Sequence, residues 1–144
     1  MIQRIVDNDI ELAIVIPAGH HSNGIEFFSN ENYSQQLALM SHKEGKSIDA
    51  HIHNYETRNV HNTQEVLILR KGILRVDFYS QEKKYINSIL LYEGDVILLA
   101  QGGHGFKIIE DVEMIEIKQG PYLGNNDKER FEGISDCDVK WREE

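Results

Sequence analysis

His51 and His53 stand two positions apart, and imidazoles at that separation can act together where the backbone is extended. On a β-strand successive side chains point to opposite faces, so the two imidazoles would project together while Ile52 points away. Such a pair can offer two nitrogen ligands to one metal ion. A His-x-His pair is also a common surface pattern. Its chemistry depends on further donors and on a container that brings them together.

The container reads as β-structure. Ile10 to Ile16, Ile25 to Phe28 and Gln36 to Met40 are short β-type runs separated by turn residues. Ile48 to His53 is expected to form a strand, followed by an irregular polar stretch from Asn54 to Asn62. Glu65 to Arg70 and Ile73 to Tyr79 read as a hairpin turning at Lys71-Gly72. Tyr85 to Tyr92, Val96 to Ala100, His104 to Ile109 and Val112 to Lys118 follow as further strands. No segment sustains a 3.6-residue apolar period. Many short strands with glycine-bearing turns argue for an all-β sandwich or barrel.

Further possible donors follow the histidine pair in order. Gly45-x5-His51-x-His53 is followed by Glu65-x6-Gly72, then by Gly94-Asp95 and Gly102-Gly103-His104-Gly105-Phe106. Over residues 45 to 110 these segments resemble the two signature motifs of the cupin superfamily. The resemblance implies a double-stranded β-helix, or jelly-roll barrel, within a single domain spanning 1–144. The motif core would cover about 45–118 and a polar extension 119–144, with Phe131 and Trp141 as docking points and a short helix around Asp127 to Phe131.

The resemblance further implies a divalent metal held by His51, His53, Glu65 and His104. Three imidazoles and a carboxylate suit Zn, Mn, Fe, Ni or Co and match Ca²⁺ poorly. Leu67 and Leu69 should flank Glu65 inside the barrel, with Phe106 and Ile108 following His104. The chain departs from the family pattern in two places. Eleven residues, 54 to 64, separate His53 from Glu65 where three or four are usual, and Ala100 stands where the second motif has proline. His61 has the normal spacing to Glu65, so it competes with His53 for the ligand role, with Asn59 then in the place of the first histidine.

Other polar residues enter less directly. Either Glu116 and Lys118 or Ile115 and Ile117 face inward on the last strand, and parity along one strand leaves both open. Arg75, Tyr79 and Tyr92 read as packing or solvated residues, as do His20, His21 and His42 in turns and at strand ends. The lone Cys137 excludes an intramolecular disulfide.

With 144 residues the chain suits one domain, and its net charge of -9 argues against a grip on nucleic acid or anionic membrane. The opening residues lack a signal-like apolar run, so a cytoplasmic protein is expected. Similarity of Gly102–Phe106 and Lys118–Tyr122 to small bacterial cupins linked with surface-polysaccharide biosynthesis implies carbohydrate metabolism. The expected function is metal-dependent turnover of a small polar metabolite such as a sugar derivative, by isomerisation or epimerisation. An Fe(II)-dependent oxygenase and a non-catalytic ligand-binding or sensing module are the alternatives. The resemblance also implies a homodimer.

Overall fold

The β-branched and alternating runs become strands, and the two faces of the largest sheet go to two different apolar clusters. The protein is described here by a computed structural model, which covers residues 1–142. The last two residues of the expected extension 119–144 therefore lie outside the described residues. In chain order the strands are β1 (Gln3–Asp7), β2 (Ile10–Ile16), β3 (Gly24–Phe27), β4 (Ala38–Ser41) and β5 (Glu65–Lys71). They continue with β6 (Leu74–Tyr79), β7 (Tyr85–Leu91), β8 (Val96–Leu99), β9 (Gly103–Ile108) and β10 (Glu113–Lys118). No α-helix occurs among the described residues; two single-turn 3-10 segments, Gly124–Asp127 and Asp136–Asp138, lie in the C-terminal part.

All strand pairings within the sheets are antiparallel. One sheet has the order β1-β2-β8-β5-β10, a second β7-β6-β9, and β3-β4 form a separate pair. The two larger sheets face each other across the main core. Ala13, Val15, Leu67, Leu69, Ile97 and Leu99 from the first meet Leu74, Val76, Phe78, Ile89 and Leu91 from the second. Alternate residues of the first sheet, including Ile14, Val66 and Leu98, point to its other face and pack under Phe28, Tyr33, Leu37 and Leu39. Burial on both faces explains why β2 and β8 read as continuous apolar runs. Each fully buried aliphatic or Phe side chain contributes about 1.5–3 kcal/mol. The sheets do not close into a barrel among the described residues.

Two expectations about local structure are corrected. Glu65–Arg70 and Ile73–Tyr79 are not a hairpin: β5 pairs with β8 and β10, whereas β6 pairs with β7 and β9. The chain turns a corner between sheets at Gly72, which has φ of 86°. A Cβ there would lie 2.1 Å from the carbonyl oxygen of Asp111, so the close approach of the 110–111 connection requires glycine. The second correction concerns Ile48 to His53, which forms no strand. Residues 41 to 63 are exposed throughout and have no strand assignment beyond Ser41, since no neighbouring edge pairs with them.

The C-terminal part lies over the outward face of the second sheet. Phe131 meets the Tyr79 ring edge-on, with centroids 5.0 Å apart. The Tyr79 hydroxyl accepts a hydrogen bond from the Ile134 amide, and Trp141 forms a parallel bridge with Ser88. This cover buries Arg75 and Asp77, which share the outward face of β6 with Tyr79. Arg75 donates to both Asp77 carboxylate oxygens, at 2.8 and 3.1 Å, and to Asp136 at 2.8 Å.

Candidate functional site

Register places the central carboxylate. Glu65 opens β5, opposite Leu99 on one side and Lys118 on the other. It shares strand parity with Leu67 and Leu69, both of which are buried in the core between the sheets. Glu65 is itself buried, at 4% exposure. Its neighbour Gln64 anchors this end of the sheet: the Gln64 amide donates to Gln119 Oε1, and Gln64 Oε1 accepts from Ser34 Oγ and the Gln35 amide.

From the facing sheet, His104 on β9 reaches across to Glu65, with Nε2 3.2 Å from Oε2. Lys118 Nζ lies 3.7 Å and Lys128 Nζ 3.6 Å from the other carboxylate oxygen. Lys118 also pairs with Glu116 at 2.9 Å, and that hydrogen bond raises the ammonium pKa. Hydrogen bonding to His104 holds the Glu65 carboxyl down to about 2, helped by the nearby lysines and opposed by burial.

At neutral pH Glu65 is therefore an anion that can only accept. A proton on the His104 nitrogen that faces it makes this 3.2 Å contact attractive, whether the ring is neutral or charged. In the neutral ring Nδ1 is then a free base, and among the described residues it has no hydrogen-bond partner. A carboxylate with so low a pKa is a poor proton acceptor at neutral pH but a good orienting partner. The chemically capable group is His104.

The sequence-predicted donors divide into two sets. Glu65 and His104 are brought together. His51 and His53 lie on the exposed irregular stretch, their ring centroids 5.3 Å apart, and His61 lies on the same stretch. Among the described residues no group of three or more His, Cys, Asp or Glu side chains stands close enough to hold a metal ion. The four-donor set implied by the resemblance is therefore not brought together among the described residues.

The parity left open on β10 is decided by its register. Glu116 and Lys118 alternate with Ile115 and Ile117; Met114 shares their parity and packs against the main core, whereas both isoleucines are exposed. Phe106 and Ile108 share strand parity with His104 but are exposed and lie outside both apolar clusters, not inside a barrel as expected. Sequence reasoning missed Lys128 and Gln64. Both act through contacts distant in the chain, and neither carries a local signal beyond being polar.

No protein-family model matches the chain, and no curated protein or solved structure matches it.

Proposed function

We propose that this protein binds a small polar metabolite, such as a sugar derivative, beside the Glu65–His104 pair and moves a proton on it. His104 is the general base and acid; Glu65 orients the ring and stabilises the imidazolium that forms when Nδ1 takes a proton. Lys118 and Lys128 keep Glu65 ionised and offer ammonium groups to oxygen atoms of the ligand. Isomerisation or epimerisation next to a carbonyl needs this combination: a base for the carbon-bound proton, and cations for the charge developing on oxygen. The carrying observation is the 3.2 Å approach of His104 Nε2 to a buried carboxylate whose pKa is held near 2.

The fold belonging to this reading is cupin-like, an open form of that architecture built on two facing antiparallel sheets. The open edges of β9 and β10 suit pairing with a second copy of the chain, giving a homodimer. Sedimentation at micromolar concentration tests that part, and a monomer contradicts it.

The test of function is deuterium exchange. Candidate keto and aldose sugars are incubated with protein in D₂O, and loss of the proton next to the carbonyl is followed by NMR. Exchange should require His104 and disappear in His104→Ala. Exchange that survives this substitution contradicts the proposal, and binding without exchange leaves a ligand-binding module.

A second reading keeps the metal. His51 Nδ1 lies 2.9 Å from the Asp49 carbonyl oxygen, which can only accept, so Nδ1 carries the proton and Nε2 presents a lone pair. Histidine ligands of metals are commonly oriented in this way. Elemental analysis of the parent, His51→Ala, His53→Ala and His104→Ala proteins tests it. Equal metal content in all four removes this reading.

A further inference from the structure

A cavity of about 250 Å³ opens beside Glu65, between the end of β10 and the 3-10 segment Gly124–Asp127. Its charged lining is Lys118, Lys128 and Arg130 against one acid, Asp127, with Asn125 and Tyr122 completing the polar wall. The chain as a whole carries 24 acidic and 15 basic residues. Three cations to one acid on a single cavity wall reverse that balance locally.

The hydrogen-bonding capacity is equally one-sided. Each lysine ammonium has three N–H donors and the arginine has five. Lys118 gives one contact to Glu116 at 2.9 Å, while its approach to Glu65, at 3.7 Å, and that of Lys128, at 3.6 Å, exceed hydrogen-bond length. Arg130 has no ion-pair partner among the described residues. The wall thus holds many unused donors and few acceptors. Its complement is a compact anion with several acceptor oxygens, and the planar Arg130 fork matches a phosphate better than a single carbonyl does.

We propose that this cavity is a phosphate subsite, so that the ligand is a phosphate ester of a small polar metabolite. Resting on the reading of Glu65–His104 as the reacting pair, this assigns the ester's phosphate to Arg130 and Lys128. The rest of the molecule lies toward Glu65, because Lys118 and Lys128 border both the cavity and that carboxylate.

Calorimetric titration of the full chain with glucose, glucose 6-phosphate and inorganic phosphate tests the subsite. The ester should bind at least about tenfold more tightly than the neutral sugar. Arg130→Ala and Lys128→Ala should each weaken ester binding by about tenfold, the scale of one lost charge-assisted contact. Lys46→Ala, an exposed lysine elsewhere, should leave it unchanged. Equal affinity for glucose and its phosphate overturns the proposal, as does ester binding indifferent to Arg130 and Lys128. Inorganic phosphate binding as tightly as the ester overturns the assignment to an ester. The subsite and the proton-transfer reading can fail separately. Arg130-dependent ester binding without His104-dependent exchange upholds the subsite alone, whereas His104-dependent exchange with no preference for the ester overturns only the subsite.

Discussion

Glu65 and His104 come from different sheets, β5 and β9, yet Oε2 and Nε2 stand 3.2 Å apart. The contact ties the two layers at the end of the core where Lys118 and Lys128 also gather. Stability and the proposed chemistry therefore depend on the same pair.

The first prediction concerns acid. The folded Glu65 pKa, about 2, lies below the ordinary 4.5. Between these values the unfolded chain binds the extra proton, so stability rises with pH across the window. The contribution is complete above 4.5 and is lost as pH falls toward 2. It amounts to at most about 3 kcal/mol. Urea unfolding at pH 3 and pH 6 should show a smaller pH difference in Glu65→Gln than in the parent. Identical differences would contradict the ionised, partnered state of Glu65.

A second prediction isolates the buried ion pair under the C-terminal cover. Arg75 and Asp77 each have side chains 7% exposed, whereas Asp136 is 62% exposed. Arg75→Ala leaves the Asp77 carboxylate buried without its cation and should cost about 3–5 kcal/mol in chemical unfolding. Asp136→Ala removes only a solvated partner and should cost clearly less. Equal losses would mean that the C-terminal contact, rather than the buried pair, dominates.

Gly72 supplies a third. Alanine there meets the Asp111 carbonyl and also has to adopt a positive φ. Gly72→Ala should lose about 2–4 kcal/mol of stability by the same measurement. A change within about 0.5 kcal/mol, ordinary for a surface substitution, would contradict the corner between sheets.

Strand positions were largely legible in the sequence because alternation and turn residues are local signals. The run from Ile10 to Ile16 and that from Val96 to Ala100 correspond to β2 and β8 within a residue. Partner choice was not legible. Gly72 reads equally well as a hairpin turn or as a corner, and only the close Asp111 backbone distinguishes them. Glu65 and His104 were found from motif order, and their meeting depends on long-range packing. His51 and His53 had strand-like spacing, but a strand also needs a paired edge, which residues 48–53 lack. Lys128 reaches Glu65 from 63 positions along the chain, a distance over which local pattern carries no information.

The central claim is that ionised Glu65 fixes the tautomer of His104 and leaves Nδ1 as the base. Nitrogen-15 NMR of the histidine rings at pH 8, compared between the parent and Glu65→Gln, measures this directly. The parent should show His104 carrying its proton at Nε2, with that preference weakened or lost in the variant. His104 protonated at Nδ1 in the parent, or a spectrum unchanged by Glu65→Gln, would contradict the account.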